Sequence, residues 1–227
     1  ILDTALFPKD SFYHFKAAWS EEKVLHIAPH WNHAPGEEVD VLVYSNASHV
    51  QVRRNGELVG EHTYKHEEGE FSWHVKVPFV AGVLEAVAFD DEGKEVQRVK
   101  RESFGDAKAI SLKVDKESIN PDELAFLEIS LLDENGNIVE DANALIHFDV
   151  RGAGELLGLD NGDSADFQSY RSNERYLFNG KLLAMIQPLS FGTIEVEISS
   201  PGLETIRKKI VVQEQQVVVQ EMLIHLD

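Results

Sequence analysis

Apolar residues recur at every second position on both sides of a polar corner within residues 41–60, first from Val41 and again from Val50. A period of two is typical of strands that bury one face. The second run ends at Asn55-Gly56. Both residues tolerate the positive φ of a type I′ turn, so the pair is a strong hairpin signal. The stretch predicts half-buried strands joined by polar turns.

The same alternation continues along residues 21–105 and predicts seven short strands with turn signals between them. Pro78 ends one of these strands or marks a sheet edge, because proline cannot donate to a strand ladder. A series of short strands over this length predicts an immunoglobulin-like β-sandwich. The predicted strands are 24–28, 39–45, 50–53, 57–60, 71–77, 83–89 and 95–101.

A second cycle of alternation begins near Ala107 and predicts another immunoglobulin-like sandwich over residues 106–213. It carries a hairpin signal at 133–137 and a long polar loop at 161–173. The predicted fold class is therefore all-β, with two consecutive sandwiches. The pattern of 214–227 does not choose between a strand and a helix, so this segment is treated as a tail. The predicted strands are 110–114, 124–132, 144–150, 155–159, 182–186, 193–199 and 205–212.

Residues 1–20 depart from this β pattern. Phe12, Phe15 and Trp19 fall at i, i+3 and i+7, which predicts one aromatic face on a short helix that Asp10 can cap. So short a helix is marginal in water and requires a larger body to cover its aromatic stripe. We interpret the segment as the end of a preceding domain. If the helix is ordered without that domain, we expect its aromatic face to fold back onto the first sandwich or onto a neighbouring chain.

The composition limits the partners that the chain can take. Its formal net charge is −19, from 40 acidic and 21 basic residues. This excess disfavours nucleic acid and anionic membranes as partners. No apolar run approaches the roughly 20 residues that span a bilayer. The absence of cysteine excludes disulfides and thiolate metal sites. The first residue is Ile1, so the chain is interpreted as part of a longer polypeptide, and its compartment is left open between cytoplasmic and exported.

Two groups of polar residues are of the types that ligate metal ions. His26, His30 and His33 lie close in sequence, but Pro29 and Trp31 interrupt any common helical face. We expect hydrogen-bonded loop histidines there rather than a metal site. The run Asp160–Asp163 offers hard oxygen ligands but lacks the remaining ligands of a calcium loop. A turn stabilised by Asx hydrogen bonds is the favoured interpretation, and no metal or cofactor is predicted.

The aromatic residues suggest a second kind of site, a platform on which sugars stack. Trp31 lies in a Pro/Asn-rich turn and is the better candidate for an exposed or interface ring, with Tyr64 as a further candidate for carbohydrate contact. Trp73 alternates with inward-facing residues and is expected in the core. The many carboxylates single out no acid/base pair, and no nucleophile motif or phosphate loop is present.

Three passages resemble the C-terminal region of bacterial glycoside hydrolase family 2 enzymes of the β-galactosidase type. ILDTALFPKDSFYHFKAAW resembles the end of their (β/α)₈ catalytic barrel. The immunoglobulin-like module that follows the barrel is resembled by four runs, VLHIAPHWNH, VDVLVYSNASHVQVRRNGELVG, FSWHVKVPF and GVLEAVAFD. The third passage resembles the next sandwich of these enzymes, which is related to invasin-type repeats. It runs from ISLKVDKESI through LLDENGNIVEDANALIHFDVRGAGELLGLDNGD and includes FNGKLLAMI. His33 departs from the pattern, because such modules often carry a second tryptophan there.

The resemblance implies a parent enzyme that hydrolyses terminal β-galactosides, or related β-glycosides, with retention of configuration through two glutamates. Both would lie upstream, so no catalytic residue is carried over to this chain. The implied divisions are a barrel end at 1–20, sandwiches at 21–105 and 106–213, and a tail at 214–227. The implied partner is the upstream barrel, docked through Phe12, Phe15 and Trp19, and an oligomer is compatible with this arrangement.

Three functions therefore remain open for the chain. The leading one is a non-catalytic accessory region that supports the barrel or shapes the rim of the substrate cleft. The second is a carbohydrate-binding module, for which the chain would need exposed coplanar aromatic rings. The third is a surface adhesion array, which the dissimilarity of the two modules and the N-terminal helix disfavour. Fold alone does not select among them.

Overall fold

The computed structural model describes residues 1–213, and the predicted tail at 214–227 lies outside the described residues. The described part contains one α-helix, a short 3₁₀ turn at His66–Glu68 and sixteen strands. The elements in chain order are α1 Asp10–Trp19, β1 Leu25–Ala28, β2 Glu38–Ser45, β3 His49–Arg54, β4 Glu57–Thr63, β5 Ser72–Pro78, β6 Val83–Phe89, β7 Glu95–Glu102, β8 Ala109–Val114, β9 Ser118–Ile119, β10 Ala125–Leu132, β11 Leu145–Gly152, β12 Gly154–Asp160, β13 Glu174–Tyr176, β14 Leu182–Pro188, β15 Gly192–Ser199 and β16 Ile206–Val212.

The strands β1 to β7 form two antiparallel sheets that enclose one apolar core. One sheet has the order β1-β2-β5 and the other the order β4-β3-β6-β7. Their inner faces bury alternate residues, such as Val41 and Val43 on β2 and Val50 and Val52 on β3. Two sheets packed face to face around such a core are a β-sandwich.

The hairpin between β3 and β4 turns at Asn55-Gly56, as the sequence predicts. Both residues have positive φ, 49° and 85°, which suits a type I′ turn. The side chain of Asn55 also accepts a hydrogen bond from the backbone N–H of Val83 at 2.8 Å and donates one to the carbonyl of Ala81 at 3.1 Å. Asn55 therefore ties the turn to the neighbouring loop as well as shaping it.

The strands β8 to β16 form a second pair of sheets with its own core. The orders are β12-β14-β10-β8 and β13-β11-β15-β16-β9. All of these pairings are antiparallel except that of β16 with β9, which is parallel. The core includes Leu127, Ile129, Ile146 and Phe148, which alternate on β10 and β11.

The predicted all-β fold class is confirmed, and most predicted strands are present with ends shifted by a few residues. Two strands were missed, β9 and β13, which are two and three residues long. Alternation cannot identify strands that short. The two apolar clusters share no residue, which supports the division at about residue 105, although that division stays a prediction.

Candidate functional site

Helix α1 packs against the first sandwich through one face only. Ala17 is buried, and the ring of Tyr13 stacks on that of His26 in β1 at a centroid distance of 3.6 Å. His14 meets Tyr44 of β2 edge to face at 5.8 Å. These residues lie on one side of the helix because positions 13, 14 and 17 are neighbours at helical spacing. The helix is therefore ordered on the sandwich through a face other than the predicted aromatic one.

The predicted capping role of Asp10 is wrong. Lys9 occupies the N-cap position without a side-chain cap, and Asp10 is the first helical residue. Its Oδ1 instead accepts a hydrogen bond from Nε2 of His26 at 2.8 Å. This bond holds the pKa of Asp10 below its ordinary value, against the opposing effect of burial. Asp10 thus fastens the start of the helix to β1.

The predicted aromatic face points away from the sandwich. Trp19 is 77% exposed, and its ring packs on Phe15 at a centroid distance of 4.9 Å. Phe12 contacts Tyr13 edge to face and is half-buried. The expectation that this face folds back onto the first sandwich is wrong, because the opposite face with Ala17 makes that contact. Within residues 1–213, Trp19 is left as an exposed apolar surface beside the half-buried Phe15.

The segment before the helix contacts the second sandwich. Thr4 Oγ1 donates a hydrogen bond to Asp160 Oδ1 at 3.0 Å, and the ammonium group of Lys181 lies 5.0 Å from the ring centre of Phe7. Residues 1–19 therefore contact both sandwiches: helix α1 packs on the first sandwich, and the segment before the helix contacts the second. Neither contact has a sequence signal, because each joins positions far apart in the chain.

Strand β7 and the short connection to β8 also join the two sandwiches. The guanidinium group of Arg101 donates two hydrogen bonds to the carbonyl of Ile27, each 3.0 Å, and one to Glu140 Oε2 at 3.0 Å. The backbone N–H of Gly105 donates to Asp133 at 3.0 Å. That bond contributes most to the lowered pKa of Asp133, which two further backbone N–H groups also lower.

A cleft of about 610 Å³ lies where these three parts meet. Its walls come from the N-terminal segment, from β1 and β7 of the first sandwich, and from the second sandwich. Phe7 and Tyr13 contribute rings, and Arg101, Asp163 and Lys181 contribute charges. The cleft was not predicted, because its lining residues come together only when the sandwiches are placed side by side.

The loop at 161–173 is ordered by hydrogen bonds from side chains to its own backbone. Asp160, Asn161, Asp163 and Asp166 each accept a hydrogen bond from a backbone N–H two residues further along, at 2.8 to 3.1 Å. These are Asx turns, so the predicted Asx-stabilised turn at Asp160–Asp163 is confirmed.

Arg175 lies under this loop and is fully buried. Its Nε lies 3.1 Å from Asp166 Oδ2, and Nη1 donates to the carbonyl of Leu159 at 3.1 Å. The guanidinium carbon stands 4.7 Å from the ring centre of Tyr170. Arg175 therefore connects the loop to β12 and β13. No sequence signal identifies Arg175 as buried, because an arginine in a polar stretch resembles a solvated residue.

The predicted carbohydrate-contact residues are not presented to solvent. Trp31 is 0% exposed; its ring meets Phe79 at 5.1 Å, and its Nε1 donates to the carbonyl of Val80 at 3.2 Å. The expectation of an exposed Trp31 is therefore wrong in this structure. Tyr64 is also buried and donates its hydroxyl proton to the carbonyl of Val43 at 3.0 Å, and burial raises its pKa. A role of either residue in sugar contact stays an untested prediction.

The histidines near the start of the first sandwich make ordinary contacts. His33 bonds through Nε2 to the carbonyl of His30 at 3.0 Å, and the two rings stack at 5.0 Å. Residues 1–213 contain no group of three or more metal-ligating side chains close enough to hold an ion. Over the same residues, no helix is long and apolar enough to cross a membrane.

Two family models match the chain, one on each sandwich. Residues 110–208 match the glycoside hydrolase family 2 C-terminal domain 5. Residues 36–97 match a domain of unknown function, DUF4982. The fold and these matches define an accessory region of a glycoside hydrolase.

Similar proteins give the same assignment. The chain is 34% identical over 218 residues to the β-galactosidase BoGH2A of Bacteroides ovatus, which covers 94% of this chain and 25% of the relative. It is 31% identical over 198 residues to a putative β-glucuronidase of Formosa agariphila, covering 83% and 19%. A solved β-glycosidase from Bacteroides vulgatus matches 93% of this chain and 28% of its own, with a TM-score of 0.86 and 28% identity. The chain belongs to the C-terminal region of glycoside hydrolase family 2.

Proposed function

We propose that this chain is the non-catalytic C-terminal accessory region of a β-galactosidase-like enzyme and that it supports an upstream catalytic barrel. The chain spans a quarter or less of the length of the curated relatives it matches, so the activity of the whole protein is part of the proposal. The names of the relatives include a β-galactosidase and a β-glucuronidase. We choose hydrolysis of terminal β-galactosides because the relative of 34% identity carries that name.

The observation that carries the proposal is the two-sided use of helix α1. Its Ala17 side is packed on the first sandwich, while on the other side Trp19 is exposed and packs on the half-buried Phe15. An exposed apolar surface on an otherwise packed helix is typical of a surface that contacts another domain or chain. The resemblance of this segment to the end of a barrel supplies the partner, a neighbouring part of the same polypeptide.

The test compares Trp19→Ser in two forms of the protein. In the polypeptide that carries the barrel as well as this chain, Trp19 would be buried, and the substitution should cost about 2 kcal/mol or more and lower Tm by several degrees. In residues 1–227 alone the ring is already exposed, so the change should stay within about 0.5 kcal/mol. Scanning calorimetry measures both.

Phe191→Ser provides the matched control. Phe191 is 55% exposed on the second sandwich, far in sequence from α1, and its replacement should alter neither melting temperature. If Trp19→Ser leaves the barrel-bearing protein as stable as Phe191→Ser does, the docking role of α1 is wrong.

A further inference from the structure

The chain contains four places where asparagine is followed by glycine. This pair is the one most prone to spontaneous deamidation, because glycine has no Cβ to keep its backbone nitrogen away from the asparagine side chain. The reaction requires a side-chain amide that is free to turn and a backbone nitrogen that can reach its Cγ atom. The four pairs are Asn55-Gly56, Asn135-Gly136, Asn161-Gly162 and Asn179-Gly180.

Two of these pairs have a side-chain amide that is held at both ends. Asn55 is bonded through its oxygen and through its nitrogen to the segment 81–83. Asn161 is buried, and its oxygen accepts from the backbone N–H of Asp163 at 3.1 Å, while its nitrogen donates to the carbonyl of Tyr176 at 3.0 Å. Neither amide can turn toward the following glycine without losing hydrogen bonds on both sides.

A third pair, Asn179-Gly180, is held through its glycine. The backbone N–H of Gly180 donates to the carbonyl of Ala142 at 3.1 Å, and Gly180 is buried. Its nitrogen would have to leave this bond with a distant segment before it could attack the asparagine. The pair is therefore protected, although Asn179 itself is exposed.

The remaining pair, Asn135-Gly136, lies in the turn that follows β10, and both of its residues are exposed. Among residues 1–213, the backbone N–H of Asn135 is bonded to Asp133, but its side-chain amide makes no hydrogen bond. The N–H of Gly136 donates only within the same turn, to the carbonyl of Asp133 at 3.2 Å. No atom outside its chain neighbours lies within 4 Å of the position that a Cβ on Gly136 would take, so the surrounding space is open.

From this comparison we infer that Asn135 is a site of spontaneous deamidation and that the fold protects the other three asparagines. The backbone nitrogen of Gly136 loses its proton and bonds to Cγ of Asn135, while the bond from Cγ to Nδ2 breaks and ammonia leaves. Water then opens the resulting succinimide. Cleavage between the nitrogen and Cγ gives an ordinary aspartate, and cleavage between the nitrogen and the main-chain carbonyl carbon gives an isoaspartate.

The turn that carries Asn135 also fastens the connection between the two sandwiches. Asp133 accepts from the backbone N–H groups of Asn135 and Asn137 at 2.9 and 2.8 Å, and from that of Gly105 at 3.0 Å. The amide of Asn137 donates to the carbonyl of Ser103 at 3.3 Å. An isoaspartate adds a methylene to the main chain between the N–H groups of Asn135 and Asn137, so it separates them from their shared acceptor. Deamidation at Asn135 therefore loosens the connection between β7 and β8.

The first experiment ages the folded chain and the urea-unfolded chain at the same mildly alkaline pH. Tandem mass spectrometry of proteolytic peptides localises each asparagine that has become aspartate or isoaspartate. In the folded chain, Asn135 should react at least about tenfold faster than the other three asparagines, because each of those pairs must first open its hydrogen bonds. In the unfolded chain the four rates should be similar. The inference is overturned if Asn135 in the folded chain reacts no faster than another of the four.

The second experiment measures hydrogen-exchange protection of the Gly105 N–H after ageing. The aged wild type should lose protection in proportion to its isoaspartate content. Asn135→Gln should keep it after the same treatment, because the longer side chain closes the ring far less readily. Asn135→Asp should also keep it, since this variant has the added charge on an ordinary main chain. Melting curves before ageing establish that both variants fold. Unchanged protection in wild type that carries isoaspartate at position 135 would contradict the loosening of the connection.

Discussion

The buried guanidinium of Arg175 determines how the loop at 161–173 is shaped. Its charge is compensated by Asp166, whose side chain is largely buried, and by the carbonyl of Leu159. Among residues 1–213, Nε and Nη2 have no hydrogen-bond partner, so the contact with Asp166 is an ion pair. Removing one partner of such a pair leaves an uncompensated charge in a poorly hydrated place. The loop should therefore depend on Arg175 more than on any of its Asx turns.

Arg175→Met should lower the free energy of unfolding by about 3 kcal/mol, because the carboxylate of Asp166 loses its cation. The double variant Arg175→Met/Asp166→Asn should recover part of this loss, because no unpaired charge remains. Urea unfolding followed by far-UV circular dichroism measures both values. Arg207→Met is the control, since Arg207 pairs with Glu197 at an exposed position and should cost less than about 1 kcal/mol. Equal losses in the two single variants would contradict the role of Arg175.

Single residues are where sequence analysis was least successful, and the reason is the same in each case. Trp31 appears exposed from its Pro/Asn-rich turn, but Phe79 and Val80 from a distant segment cover it. Arg175 appears solvated, but the loop folds over it. Asp10 appears to cap a helix, but its carboxylate accepts a hydrogen bond from His26 of β1 instead. Local pattern does not contain the distant segment that decides burial.

At the scale of elements the sequence was a better guide. The period of two located most strands, and Asn55-Gly56 located a hairpin, because strand pattern and turn chemistry are both local properties. The helix α1 was also predicted, together with the residues of its aromatic face. The face that packs on the first sandwich was not predicted, because this second face, with Tyr13 and Ala17, has too few apolar residues to be recognised in the sequence.

The attachment of α1 should depend on pH through Asp10. Hydrogen bonding to His26 lowers the pKa of Asp10 in the folded state. A carboxyl whose pKa is lowered by folding adds stability above its unfolded pKa, about 4, and loses it as the pH falls through the lowered folded value. The contribution of Asp10 should therefore be complete at pH 6 and should disappear in strongly acidic solution.

Asp10→Asn should reduce the amide hydrogen-exchange protection of residues 11–19 at pH 6, after correction for intrinsic rates. The difference from the wild type should shrink below about pH 4. Glu22→Gln is the control, because Glu22 pairs with Lys16 at the exposed end of the same helix and should leave protection nearly unchanged. A constant difference between wild type and Asp10→Asn from pH 6 to pH 3 would argue against this linkage.

For the whole molecule, the structure adds a connection between the sandwiches that no sequence pattern indicated. Arg101 joins a carbonyl of β1 to Glu140 of the second sandwich, and Thr4 joins the N-terminal segment to Asp160. If a barrel docks on α1, these contacts connect the docked barrel to the second sandwich. The two sandwiches should then unfold as one cooperative unit.

Arg101→Leu should uncouple them, because it leaves the carbonyl of Ile27 without its two donors and Glu140 without its cation. We expect a loss of about 1–3 kcal/mol.

The three tryptophans lie within the first 105 residues, so their fluorescence reports on the first sandwich, whereas far-UV circular dichroism reports on both. In the wild type the two urea transitions should coincide, and in Arg101→Leu they should separate. Arg98→Leu, which removes a neighbouring arginine paired with Glu95 inside the first sandwich, should keep them coincident. Transitions that already differ in the wild type would show that Arg101 does not couple the two sandwiches.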